Sequence, residues 1–268
     1  MHLNLSHDTQ ICNGKIKITG SKSETNRLLF LQSLFPNFKI QNKSNSDDSS
    51  IMQAALKSTS DFIDINHAGT AMRFLTSYFS QLEGREVILT GSERMQQRPI
   101  KILVDALRSL GASIEYEKKQ GYPPLRIKGK KLDGGTISLP ADISSQYISS
   151  LIMLGAVLKA GIELNLKGTI TSMPYINMTL DLLKRLGIKT EFKGHRILVK
   201  NTSKSKNTIQ VVESDWSSAS YFFSIAALSD KAKIYLSNYK SKSLQGDSIL
   251  RIIYKQLGVN SYFEGNNL

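Results

Sequence analysis

The sequence predicts an α/β fold made of repeated βαβαββ units around buried helices. Three observations predict it. A small polar helix start and a later Leu-Gly helix stop recur along the chain, the helices that open the copies are apolar nearly all round, and the copies close on short alternating strands. The first copy runs from His67-Ala68-Gly69-Thr70-Ala71-Met72-Arg73 to Leu110-Gly111. The second runs from Ser144-Ser145-Gln146 to Leu186-Gly187, and the third from Ser217-Ser218-Ala219 to Leu257-Gly258. Gly69 to Gly111 spans 42 residues, Ser145 to Gly187 42, and Ser218 to Gly258 40. Self-similarity at a nearly constant period outranks any local reading, because each copy is then one unit that buries its apolar face against the next.

Taken in order, an apolar strand over residues 15–18 leads into Gly20-Ser21-Lys22-Ser23-Glu24-Thr25-Asn26-Arg27. Ser21 or Ser23 can cap a helix that begins near Glu24. With Ile51-Met52-Gln53-Ala54-Ala55-Leu56, that helix forms a shorter copy ahead of the other three. The full copies then read alike. A polar cap opens an apolar helix, with His67 in that place in the first copy, and a strand follows at 87–89, 162–166 or 233–236. An amphipathic second helix comes next, with Ile100, Leu103, Val104 and Leu107, or Ile176, Thr179, Leu180 and Leu183, at the helical period. Pro99 and Pro174 sit where first-turn prolines belong, and glycine stops the helix. Residues 113–116 with 125–127, and 190–192 with 197–199, alternate as strand pairs, and 261–263 repeat the first of these in the third copy. The opening helices, 150–158 and 221–228 among them, leave no polar stripe and are expected to be buried on all sides. A buried helix still shows its N-terminus at one end, so several on one side give several anion sites together.

Composition narrows the partners. Of 268 residues, 40% are hydrophobic and 21% charged, and the formal net charge is +13. This suits anionic ligands. Nucleic acid would ask for a basic stripe with interleaved aromatics, and the only dense run, Lys200 to Lys206, reads as a loop. The single cysteine, Cys12, excludes an internal disulfide framework, and His2, His7, His67 and His195 lack metal-ligand spacing. No metal or organic cofactor is expected. No apolar run reaches membrane-spanning length and no signal peptide opens the chain, so a cytoplasmic location is expected. The nucleotide-loop motifs and the G-x-S-x-G elbow are missing.

The candidate chemistry is anion binding at helix starts. Lys22 adds a point charge, and Ser23 and Arg27, four residues apart, put a hydroxyl and a forked guanidinium on one helical face. In Arg94-Met95-Gln96-Gln97-Arg98-Pro99, the proline pushes Arg98 toward extended backbone beside a helix start. Ser144-Ser145-Gln146 offers two hydroxyls and an amide at another start, and Ser172-Met173-Pro174-Tyr175 a hydroxyl and a phenol. Each of these taken singly also fits a plain cap, and the octapeptide a capped surface helix with two solvated cations. Together they point to a small substrate with more than one negative group.

Gly20-Ser21-Lys22-Ser23 with Asn26-Arg27, Ala68-Gly69-Thr70-Ala71-Met72-Arg73, Arg94-Met95 with Arg98-Pro99-Ile100, Ser144-Ser145-Gln146, Pro174-Tyr175, Ser217-Ser218-Ala219-Ser220-Tyr221 and Leu244-Gln245-Gly246-Asp247 resemble, in order, the signatures of the 5-enolpyruvylshikimate-3-phosphate synthase family. The resemblance implies an inside-out α/β barrel with buried parallel helices, two domains of three units each, and domain closure over the substrates. The implied reaction transfers the enolpyruvyl group of phosphoenolpyruvate to the 5-hydroxyl of shikimate 3-phosphate, releasing phosphate, on the route to chorismate and aromatic amino acids. By position, Lys22 and Arg98 would hold the phosphate of phosphoenolpyruvate, with Gly69 and Gln146 assisting and Lys22 also catalytic. Ser23 and Arg27 would hold the shikimate part. Ser144, Ser145 and Ser172 would hold its 3-phosphate, with Gln146 and Tyr175 against it. The family is implied to be monomeric and free of cofactors, nucleic acid and membrane.

Three positions depart from the family pattern: Thr19 and Phe74 stand where proline is usual, and His67 where asparagine is. These are expected to alter packing more than chemistry. The larger departure is the number of units. Residues 21–212 are expected to form one three-unit domain, and residues 1–20 with 213–268 part of a second. No counterpart of the family's later carboxylates is found, so the sequence reads as the amino-terminal two thirds of such an enzyme, inactive alone. The alternatives are a non-catalytic shikimate-3-phosphate-binding paralogue and the related UDP-N-acetylglucosamine transferase, whose loop cysteine has no match here.

Overall fold

The computed structural model describes residues 9–268. In chain order the elements are β1 (Ile11–Ile16), α1 (Lys22–Leu34), β2 (Lys39–Gln41), α2 (Asp47–Lys57), β3 (Phe62–Asp64), α3 (Gly69–Ser80), β4 (Glu86–Thr90), α4 (Glu93–Gln96), α5 (Lys101–Ser109), β5 (Ser113–Tyr116) and β6 (Leu125–Lys128). They continue as β7 (Gly135–Pro140), α6 (Ser145–Gly155), β8 (Ile162–Lys167), α7 (Met173–Arg185), β9 (Thr190–Lys193), β10 (Arg196–Val199), β11 (Ile209–Val211), α8 (Trp216–Leu228), β12 (Lys231–Leu236) and α9 (Leu250–Lys255).

The repeat is visible in the sheets. One is ordered β3-β4-β6-β5 and another β7-β8-β10-β9, each with one parallel pairing followed by two antiparallel ones. Both are βαβαββ units. The short first copy is built differently. Its β2 pairs in parallel with β11, which comes from the far end of the segment, so that unit is closed by two distant pieces of chain and has no strand pair of its own. The second helices end alike. Gly111, Gly187 and Gly258 take φ of 96°, 84° and 86°. Each is followed by a six-residue closing bond, from Ala112 N–H to Leu107 O, Ile188 N–H to Leu183 O and Val259 N–H to Tyr254 O. Only glycine adopts that turn without cost.

The opening helices α1, α3 and α6 pack against one another inside the largest core. Every residue of α3 is buried. Small residues let the helices close up: Ser77 Oγ and Ser150 Oγ lie 2.5 Å apart, and Ser150 Oγ donates to Arg73 O. Phe30 meets Phe74 and Tyr78 edge to face, each at 6.1 Å. A second, smaller core gathers Ile18, Trp216, Ala219, Phe223, Leu236 and Tyr239 where β1 pairs in parallel with β12. Residues 1–8, which the sequence reading assigns to that side, lie outside the described residues.

Several local expectations are corrected. The leading strand ends at Ile16 rather than 18, and α1 starts at Lys22, capped by Ser21. Pro99 precedes the N-cap Ile100 of α5 and so lies outside that helix, whereas Pro174 occupies the second position of α7, within its first turn as expected. His67 is exposed and does not cap α3, whose N-cap is Ala68. The helix over 221–228 is not buried all round: Tyr221 is 72% and Leu228 84% exposed, because β12 and α9 cover only one side of α8. Residues 261–263 form no strand; only isolated bridges at Glu264 and Asn267 stand in for the third strand pair.

Candidate active site

The chain crosses between the two cores twice, and the site lies at that crossing. Gly20 and Ser214 form an antiparallel bridge; Ser21 N–H donates to Glu213 O and Asp215 N–H to Thr19 O. Glycine is required at position 20, since a Cβ there would stand 1.9 Å from Asn42 O. Just beyond the crossing a cavity of about 550 Å³ opens. Six helix starts border it: Lys22 and Ser23 of α1, Ser46 before α2, Thr70 of α3, Ser144 to Gln146 of α6, Tyr175 of α7, and Asp215, Ser217 and Ser218 of α8. Free first-turn amides and aligned peptide dipoles make such a place positive before any side chain is counted. Hydroxyls dominate the remaining lining, which suits a polyol or a phosphate.

Arg27 is the deepest cation. It is 2% exposed, and its guanidinium donates to Thr179 Oγ1 at 2.8 Å, Ser149 Oγ at 2.9 Å and Ser23 O at 2.8 Å. The rings of Phe74 and Tyr175 flank it at 5.6 and 5.8 Å. Phe74, one of the departures from the family pattern, thus packs against the guanidinium from within the core. Burial pulls the guanidinium pKa down to about 10, so it stays charged at neutral pH. Among the described residues no carboxylate pairs with it in an ion pair. A buried cation of this kind is costly until an anion meets it. Lys22 is exposed at the mouth, and its ammonium has no side-chain hydrogen bond or ion pair among the described residues. Burial, with Asp247 and Asp215 nearby, raises the Tyr175 phenol, which stays neutral.

A second cradle adjoins the first. Arg98 lies on the start of α3, where a Cβ added to Gly69 would stand 2.3 Å from Arg98 Nη1. Its segment is held by Tyr147, whose hydroxyl donates to Pro99 O at 2.6 Å. Arg73 is buried beneath, donates to Gly69 O at 2.9 Å, and has its pKa lowered by burial and by Arg98. Gln146 joins the two places, donating from Nε2 to Thr70 Oγ1 at 3.2 Å.

The structure therefore brings Lys22, Ser23, Arg27, Ser144, Ser145, Gln146 and Tyr175 to one cavity, with Gly69 and Arg98 beside it. Ser172 does not line the cavity; it stands one turn before Tyr175 at the start of α7. Sequence reasoning missed Asp215, Thr70 and the turn over 44–46. Asp215 Oδ1 accepts Ser218 N–H at 2.8 Å and caps α8, while its Oδ2 accepts Lys22 N–H at 3.4 Å. The signal was an acidic residue directly before an apolar helix.

A family model described as EPSP synthase (3-phosphoshikimate 1-carboxyvinyltransferase) matches residues 39–264. The chain belongs to the EPSP synthase family. It is 47% identical over 256 residues to the 3-phosphoshikimate 1-carboxyvinyltransferase of Bacteroides fragilis strain YCH46, covering 95% of this chain and 62% of the relative. It is 35% identical over 277 residues to the enzyme of that name from Actinobacillus pleuropneumoniae serotype 5b, covering 91% and 63%. The chain thus spans less than two thirds of the length of the family members it matches. An EPSP synthase structure from Acinetobacter baumannii superposes with a TM-score of 0.76 at 22% identity, covering 92% of this chain and 60% of that one. The inside-out α/β barrel expected from the sequence is therefore the fold of the family. No helix among the described residues is long and apolar enough to cross a membrane.

Proposed function

We propose that this chain binds shikimate 3-phosphate and phosphoenolpyruvate for transfer of the enolpyruvyl group to the 5-hydroxyl, with release of phosphate. The observation that carries the reading is the convergence of the α1, α3 and α6 starts, with Lys22 and Arg27, on one hydroxyl-lined cavity. In this reading Ser144, Ser145 and Ser172 take the 3-phosphate, with Gln146 beside it, and Ser23, Arg27 and Tyr175 take the ring. Lys22, Arg98 and the Gly69 amide, with Gln146, take the phosphate of phosphoenolpyruvate. Ser172 stands outside the cavity lining, so this part of the reading requires the α7 start to move toward the ligand.

The reaction adds a hydroxyl to the enol ether carbon and then expels phosphate. Fixed cations and amides serve both steps by positioning the reactants and stabilising developing charge. Closing the cavity would exclude water. The two cores and the double crossing at Gly20 and Ser214 support a division into a domain of residues 21–212 and a second part holding 1–20 and 213–268. A monomer and a cytoplasmic location go with this reading.

Isothermal calorimetry of the 268-residue chain with shikimate 3-phosphate tests the site. Replacing both Ser144 and Ser145 by Ala should weaken binding by roughly 1–3 kcal/mol, the range for lost hydrogen bonds to a charged group. An unchanged dissociation constant would remove these serines from the site, and no binding by the unmodified chain would overturn the reading itself.

A further inference from the structure

Glu24 sits in the first turn of α1, between Ser23 and Arg27, yet it faces away from the cavity. It is 3% exposed. Its Oε2 accepts the backbone N–H of Glu213 at 3.1 Å, and its Oε1 is 3.7 Å from Arg185 Nη1 on α7. Ser21 N–H donates to Glu213 O at 2.8 Å. Both peptide groups of Glu213 are therefore held by the first turn of α1. The Glu213 side chain, 2% exposed, continues the chain of contacts into the second core. It accepts from Trp216 Nε1 at 2.9 Å, Lys240 N–H at 2.9 Å and Ser243 Oγ at 2.7 Å.

Two buried carboxylates in series thus join α1 to the loop after β12. Two residues beyond Glu213 stands Asp215, which caps α8 and takes the Lys22 amide across the cavity mouth. A buried carboxylate is an expensive way to fill space, and an apolar side chain would fill it with less desolvation. A carboxylate can do what an apolar group cannot: fix a main-chain N–H at a defined distance and direction. We propose that Glu24 is a positioning residue that holds the α8 end of the cavity, Asp215 with Ser217 and Ser218, in register with Lys22 on the α1 end. Its consequence for a bound ligand rests on the functional reading above; the positioning itself does not.

The test is a pulsed electron-spin distance measurement on the 268-residue chain, with labels at Lys128→Cys on β6 and Lys255→Cys on α9 in a Cys12→Ser background. Both lysines are exposed, one on each core. The unmodified Glu24 chain and Glu24→Gln, which keeps a carbonyl acceptor for Glu213 N–H, should give the same narrow distribution. Glu24→Leu should broaden and shift it. Ser243→Ala, which cuts the same series of contacts at a half-buried position, should broaden it to a smaller degree. Shikimate 3-phosphate affinity is measured in parallel on the unmodified chain. An unaltered distribution in Glu24→Leu, or in Ser243→Ala should Glu24→Leu fail to fold, overturns the inference. So does a Glu24→Gln distribution as broad as that of Glu24→Leu. Failure of the unmodified chain to bind shikimate 3-phosphate would count against the site reading and leave the distance result to decide Glu24.

Discussion

The Arg98 guanidinium rests directly on the Cα of Gly69: one methyl group added there would stand 2.3 Å from Nη1 and 3.1 Å from Cζ. The helix start and the cation share one small volume, which is possible only because residue 69 has no side chain. Arg98 is exposed and can move, so Gly69→Ala should fold normally and displace the guanidinium. Losing one charge-assisted contact should weaken phosphoenolpyruvate by about 1.5–3 kcal/mol and leave shikimate 3-phosphate almost unaffected. Competition titrations with each ligand check this; equal loss of both would mean a general collapse of the α3 start.

Arg27 is a buried cation held by hydroxyls and a carbonyl rather than by a carboxylate. Arg27→Met should therefore have opposite effects on stability and binding. The empty protein should melt at the same temperature or higher, since a desolvated charge is removed. Shikimate 3-phosphate affinity should fall at least about tenfold, as expected when a hydrogen-bonded charge is lost from a ligand. Melting curves with and without ligand separate the two; a parallel fall in both would make Arg27 a structural residue.

Burial raises the Glu24 carboxyl above its usual value, against the opposing influence of Lys240, the Glu213 N–H and Arg185. The folded state thus binds a proton more readily than the unfolded chain. The contribution of this group to stability is complete below the unfolded pKa and is lost as pH rises through the raised folded value. Glu24→Gln removes that loss. Its melting temperature relative to the unmodified protein should rise as pH increases above the ordinary glutamate value of 4.5. A gap that moves the other way would show that Arg185 and Lys240 outweigh desolvation.

The outer face of α8 and α9 is apolar and open, with Tyr221 72%, Leu228 84% and Ile252 60% exposed. A hollow of about 590 Å³ also opens between α8, β12 and residues 258–264. Such patches drive association. Sedimentation velocity of the 268-residue chain should show concentration-dependent assembly, reduced by combining Leu228→Ser with Ile252→Ser. A single monomeric species at all concentrations would contradict this.

The local devices of this protein were legible in its sequence because they depend on neighbours within a turn or two. A serine cap at 21 or 23, the glycine stops at 111, 187 and 258, the amphipathic second helices and the apolar first helices all follow from spacing alone, and so did the anion-loving character of the helix starts. Tertiary structure decided what those starts face. Arg27 meets Thr179 across 152 residues and Ser149 across 122, and β2 finds its partner in β11. Asp215 enters the cavity only because the chain crosses back beside Gly20. Ser172, equally plausible by spacing, stops outside the cavity lining, and α8 carries the apolar pattern of a buried helix while keeping one face open. Hydrophobicity states that a face needs cover, but only packing between distant segments supplies it.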